Sequence, residues 1–222
     1  MPKAIEMTYA QQFQKAFKSL CHSRSNWKVW GDFIMMSACS ISNAVDKEMF
    51  EQREQMYMRI VQGYTKDELE IIAQLFTLTV FALENNPDQD FLGDIFNDLK
   101  LFNEHKGQFF TPYNVAKMMA KMQLGNLAAE IQDKGSISIN DCCCGAGGLL
   151  IAAANVAQES DVNYQRDIYF VAQDIDFTVA MACYIQMSLL GCRGHVIVGN
   201  SLLPDLPPRE NIWYLPMNVY WQ

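Results

Sequence analysis

From Ile137 to Val198 the chain reads strand, glycine-rich turn, helix, strand, helix, strand, and that order leaves few folds open. The spacing predicts strands over Ile137 to Asn140, Tyr169 to Ala172 and His195 to Val198. It predicts helices over Gly147 to Gln158 and Asp176 to Leu190. Strands that alternate with helices are joined by crossovers, which makes parallel, right-handed βαβ units. The expected class is therefore α/β, a partial Rossmann-like sheet behind a helical N-terminal region.

That region, residues 1–105, carries apolar residues at helical spacing. Phe13, Ala16, Phe17 and Leu20 form one stripe, and Trp30, Phe33, Ile34 and Ile41 a second. Thr65 and Glu68 have capping-box spacing ahead of Ile72, Leu75, Phe76 and Leu83, and Asn85-Asn86-Pro87 ends that helix. A short helix follows from Phe91 to Phe102. The boundary with the second domain, residues 106–222, is expected near Lys106. There Thr111 is expected to cap a helix with Pro112 at its first position, and Val115, Met118, Met119 and Met122 line one face of it.

The glycine-rich turn, Asp141 to Gly148, follows a strand and opens a helix. Glycines let backbone approach a ligand closely, and a helix N-terminus offers unpaired N–H groups. The same turn is also compatible with a tight bend that holds nothing. A dinucleotide fingerprint wants a third glycine where Leu150 stands, and no Gly-Lys-Ser/Thr follows, so neither an NAD fold nor a P-loop fits. The next two strands end in Gln173-Asp174-Ile175-Asp176 and Gly199-Asn200-Ser201-Leu202. Polar strand ends thus converge on the carboxyl edge of the sheet, where open α/β folds bind ligands, and a carboxylate there can accept from ribose hydroxyls.

Composition narrows the classes further. Hydrophobic residues make up 50% of the chain, enough for a substantial core. A net charge of -8 without a Lys/Arg-rich run argues against strong stand-alone nucleic-acid binding, though not against meeting DNA through a partner. No apolar run has membrane length and no secretory leader is visible, so no membrane is expected. The seven cysteines include the adjacent Cys142, Cys143 and Cys144 and no CxxC pair, which points away from disulfides and zinc and toward free thiols in a reducing cytoplasm. Those thiols are expected to be buried as small hydrophobes. His22, His105 and His195 have no metal spacing, so no metal is expected.

The motifs together resemble the modification subunit of type I restriction-modification DNA adenine methyltransferases. Gly107-Gln108-Phe109-Phe110-Thr111-Pro112 is similar to that family's Gly-Gln-Phe-Tyr/Phe-Thr-Pro element. Asp141 to Ile151 is similar to Asp-Pro-x-Cys-Gly-Ser-Gly-Gly-Phe-Leu-Ile, with Cys142 for Pro and Ala146 for Ser. Residues 173–176 resemble its Gln-Glu-Ile-Asp, and 199–202 its Gly-Asp-x-Leu. Asp90-Phe91-Leu92-Gly93 resembles an element upstream in its helical domain. The resemblance implies S-adenosylmethionine as cofactor. Phe109, Thr111 and Pro112 would line its methionine side, and Asp141, Gly145 and Gly147 would hold the amino-acid part. Asp174 would bind the ribose hydroxyls, Ile175 would pack on adenine, and Asn200 would accept from the adenine amino group.

The family's catalytic Asn-Pro-Pro-Phe/Tyr, at the end of the fourth strand, holds the flipped target base. Asn218-Val219-Tyr220-Trp221 is the nearest segment here, with Asn218, Tyr220 and Trp221 as candidate catalytic residues but no prolines. The family's sheet continues for several further strands, so the domain is expected to be truncated. An open edge would then need cover from dimerisation, another chain, or the aromatic tail. DNA reading would come from a specificity subunit or other partner. Three readings stay open: an adenine methyltransferase, a catalytically silent cofactor-binding regulatory or interaction module, and a remnant that binds nothing.

Overall fold

The computed structural model describes residues 7–101, 110–203 and 205–219. Five helices come first: α1 (Tyr9–Leu20), α2 (Asn26–Val45), α3 (Phe50–Val61), α4 (Lys66–Asn85) and α5 (Phe91–Asp98). The Thr65–Glu68 capping box forms as the spacing predicts: Thr65 Oγ1 accepts from Glu68 N at 3.3 Å and Glu68 Oε2 from Thr65 N at 2.8 Å. The stripes of α1 and α2 meet as an aromatic core of Phe13, Phe17, Trp30, Phe33, Phe91 and Phe96, with Phe13 and Phe33 edge-on at 5.3 Å. Edge-to-face contacts of this kind add to area burial.

Helix α3 was not legible, because its one fully buried side chain is Arg53, a residue that reads as solvent face. Arg53 Nη1 bonds Asp46 Oδ2 at 2.6 Å and also Ser42 Oγ, while its Nη2 donates to Ile212 O at 2.9 Å.

The second half holds α6 (Tyr113–Gln123), α7 (Leu127–Lys134), β1 (Ile137–Asp141), α8 (Gly148–Glu159), α9 (Tyr164–Asp167), β2 (Ile168–Asp174), α10 (Phe177–Leu189), β3 (Arg193–Val198) and β4 (Ile212–Tyr214). Strands β1, β2 and β3 pair in parallel in that order, and β4 joins β3 antiparallel. The α/β, partly Rossmann-like expectation holds. Helix α2 packs on α10, so one apolar core runs from the helical region into the sheet. The expected boundary at Lys106 lies outside the described residues.

One local expectation is corrected. Helix α6 begins at Tyr113 with Pro112 itself at the cap position and no side-chain cap bond, so Thr111 is not the cap. Its Val115, Met118, Met119 and Met122 face outward, Met122 at 78% exposure. Ala116 and Ala120 are the residues turned inward, toward α8 with its buried Ala152, Ala153 and Ala154. Small side chains on both helices let the backbones approach closely.

The tail folds back on the β3 side of the sheet through β4, whereas β1 has no strand on its outer side among the described residues. No helix among them is long and apolar enough to cross a membrane.

Candidate functional site

Strand β1 delivers Asp141 to the carboxyl edge, and the chain then turns through Cys142 to Gly147 into α8. Backbone bonds fix this turn on β2: Cys144 N donates to Gln173 O at 2.9 Å and Gly145 N to Asp174 Oδ2 at 3.0 Å. Gly147 sits at the α8 cap position with φ +97, where a Cβ would also meet Cys183 Sγ at 2.9 Å, so a side chain is excluded twice over. A Cβ at Gly145 would lie 3.1 Å from the Phe110 ring. The turn is thus pressed between the segment before α6 on one side and α10 on the other.

Above it opens a cavity of about 160 Å³, walled by Asp90, Phe110, Thr111, Cys143, Gly145, Ala146, Gly148 and Asp174. That volume is below the usual ~300–1,000 Å³ of a pocket enclosing a whole ligand, so it encloses part of one. Asp174 is held rigidly, its Oδ1 accepting from Asp176 N at 2.9 Å. Asp176 caps α10 through Thr178 N at 3.0 Å. Ile175, next in the chain after Asp174, stands 71% exposed and is not among the residues that wall the cavity. Gly199 N donates to Asp174 O at 2.9 Å, tying the end of β3 to the end of β2. Asn200 is exposed, with its Oδ1 accepting from Leu202 N at 3.0 Å.

Asp141 accepts from Cys143 N through Oδ1 at 3.1 Å, and its buried Oδ2 has no partner among the described residues. Burial pushes its carboxyl up, and the Asp174 charge adds to that. It faces an adjoining cavity of about 190 Å³ between β1, α6 and α8 rather than the first one, with Leu149 in the wall of both. Asp90 was noted in the sequence only as part of an upstream element, yet it lies in the first cavity at 4% exposure. Its burial raises the carboxyl to about 6.

The cysteines are corrected in part. Cys144 is buried against Cys183, but Cys142 and Cys143 are exposed, because a strand-to-helix turn can present only one of three successive residues to the core.

The structure separates Asn218 from this cluster. Its Nδ2 donates to Gly194 O at 2.6 Å and its Oδ1 accepts from Gly194 N at 3.0 Å, near the start of β3 and therefore at the opposite edge of the sheet from Asp141 and Asp174. Strand β4 runs antiparallel beside β3, so the residues that follow it leave the sheet at the edge away from the cavity. Phe109, Tyr220 and Trp221 lie outside the described residues, as does the first part of the Gly107–Pro112 element. Phe110 and Thr111 of that element do reach the cavity, and Pro112 stands at the head of α6.

A sequence profile of the N-6 DNA methylases matches residues 87–219, which span the cavity, the glycine-rich turn and all four strands. The chain belongs to the N-6 DNA methylase family. It is a DNA N6-methyltransferase-like protein, and the match covers more than half of its length. Comparisons with curated proteins and with solved structures returned no match.

The two hydrogen bonds of Asn218 make it a tie between the tail of this N-6 DNA methylase family member and its sheet. Asn218→Ala is expected to lower stability by about 1–3 kcal/mol, read by urea unfolding, as expected when buried backbone groups lose a partner. Ligand affinity should not change; a loss of affinity at unchanged stability would return Asn218 to the site.

Proposed function

We propose that this N-6 DNA methylase family member binds S-adenosylmethionine at the carboxyl edge of β1 and β2, as a restriction-modification type adenine N6-methyltransferase-like protein. The observation that carries the reading is the cavity in which the Gly145–Gly148 backbone, Asp174, Phe110 and Thr111 share one wall. The residues fit the cofactor's parts. The unpaired N–H groups at the start of α8 suit a carboxylate. Each Asp174 oxygen accepts one backbone bond and keeps a lone pair for a ribose hydroxyl. Ile175 offers an exposed apolar face to adenine, and Asn200 follows the end of the neighbouring strand β3. The orphaned Oδ2 of Asp141, one turn of chain away, is a further acceptor for a donor.

The bound cofactor would supply a methyl group already activated on a sulfonium. The chain then has no nucleophile to provide, and its work is placement: the turn and Asp174 fix one reactant against the open end where a base would enter. DNA would be presented through a specificity subunit or other partner chain, consistent with the net charge of -8. The compartment we assign is the cytoplasm, and the assembly a homo- or hetero-oligomer.

One observation favours the second reading, a catalytically silent cofactor-binding module: Asn218, the candidate for holding the target amine, is engaged with Gly194 at the far edge. Methyl transfer to DNA separates the two readings. Cofactor binding is tested by calorimetric titration of the parent and an Asp174→Ala variant with S-adenosylmethionine. The expected result is binding by the parent and a loss of at least about tenfold in the variant, equivalent to about 1.4 kcal/mol. A folded parent that takes up no ligand would leave the family assignment without this function.

A further inference from the structure

Asp90 is the N-cap of α5, and capping requires only one of its oxygens. Oδ1 fills that role, accepting from Gly93 N at 3.0 Å, and it also accepts from Gln186 Nε2 at 2.7 Å. Oδ2 accepts no hydrogen bond among the described residues, and the side chain lines the cavity. Next to it is the start of α8: a Cβ built on Gly148 would lie 2.9 Å from Asp90 Oδ2. The first N–H groups of α8 have no side-chain cap. A carboxylate and a set of unpaired donors therefore stand side by side in one enclosure. Gln186 holds both partners in place, since its Nε2 also donates to Ala146 O at 2.9 Å and its Oε1 accepts from Leu92 N at 3.0 Å.

Adjacent anion and donor groups are complementary to a zwitterion. We propose that Asp90 binds the α-ammonium of the amino-acid part of the ligand while the start of α8 binds its carboxylate, so that the helical region supplies one half of the cofactor subsite. This rests on the S-adenosylmethionine reading above. It also moves the ammonium contact from Asp141, which faces the adjoining cavity, to a residue outside the sheet. A buried carboxylate without a counter-charge is costly, and an ammonium ligand would offset that cost.

The test uses three ligands: S-adenosylmethionine, S-adenosylhomocysteine, which keeps the amino-acid part, and 5′-methylthioadenosine, which lacks it. Asp90→Asn retains an oxygen for Gly93 and Gln186. It is expected to weaken the first two at least tenfold and to leave the third within twofold, whereas Asp174→Ala weakens all three. An Asp90→Asn protein that binds S-adenosylmethionine within twofold of the parent, or that loses all three ligands alike, overturns the assignment. A folded parent that binds none of the three overturns the cofactor reading itself, and this assignment with it.

The parent alone gives a second readout, which decides if the variant does not fold. Titratable groups facing Asp90 are Asp94 on its own helix, Tyr113 at the head of α6, Asp174 at the end of β2, and the thiols of Cys143 and Cys144. With the Asp90 carboxyl raised to about 6, protonation removes the anion as pH falls through that value. Affinity for S-adenosylmethionine should fall about tenfold from pH 7 to pH 5, with 5′-methylthioadenosine flat over the same range. Parallel profiles for the two ligands overturn the proposal.

Discussion

Replacing Arg53 by alanine is expected to destabilise the protein by about 3–5 kcal/mol, the range for breaking a buried ion pair from one side. The guanidinium is 1% exposed and bridges the helical region and the sheet: it pairs with Asp46 at 2.6 Å, reaches Ile212 O at 2.9 Å and lies over the Trp213 ring at 3.9 Å. Truncation leaves Ile212 O without this donor, opens a void beneath the indole, and leaves Asp46 to Arg209 alone, which it meets at 2.8 Å. Burial lowers the Arg53 pKa while Asp46 opposes the shift, and that balance disappears with the partner. Thermal unfolding followed by tryptophan fluorescence should report the change, as a fall in Tm of roughly 2–4 °C per kcal/mol for a chain of this length. Arg53→Lys should recover only part of it, because an ammonium cannot match the forked contacts to Asp46, Ser42 and Ile212. A loss under about 1 kcal/mol for the alanine variant would show that β4 docks without Arg53 and that Arg209 suffices for Asp46.

The second large effect is expected at Gly194. Its φ is +148, and a Cβ there would lie 1.8 Å from Phe170 O on the paired strand β2. That neighbour is backbone, so it cannot swing aside as a side-chain end could. Gly194 N and O are also both engaged, with Asn218 across them and Leu215 N on the same carbonyl at 3.0 Å. Gly194→Ala should therefore separate β3 from β2 and release the tail together, a loss of about 4–5 kcal/mol or more, at the extreme of single substitutions. Gly31→Ala is the matched control: nothing lies within 4 Å of its added Cβ, and alanine inside α2 should raise stability by up to about 1 kcal/mol. Circular dichroism melts of the two variants decide the matter. A Gly194→Ala protein melting within about 2 °C of the parent would mean that the strand pair can shift to admit a methyl group.

Both effects fall at places where distant parts of the chain meet, and there the sequence is least informative. Residues that act through their neighbours in the chain were legible. Thr65 and Glu68 are three apart and cap α4 as their spacing predicts. Strands β1 to β3 and helices α8 and α10 fall where the change of period put them. The strand-ending Asp174 meets the glycine-rich turn because both leave the same edge of a parallel sheet.

Other features depended on partners far along the chain. Arg53 and Ile212 are brought together across the whole protein, so a charged residue became core and α3 went unread. The methionines of α6 share one face as the spacing predicts, but it was the alanine-rich side of α8 that put Ala116 and Ala120 inside and left that face outside. Asp90 lay in a noted motif without a role, because its meeting with Gly148 and Gln186 exists only after α5 packs against α8 and α10. Asn218 opened the segment nearest to the catalytic motif, but the antiparallel run of β4 carried it to the other edge of the sheet. Periodicity and caps are short-range physics and are written in adjacent residues. The sequence by itself thus determined the α/β class, the turn and the strand-end carboxylate of this family member. Packing decided which face of each helix is inside, which carboxylate enters the cavity and where the tail goes, because those depend on the shape and charge of surfaces that face each other only in the folded chain.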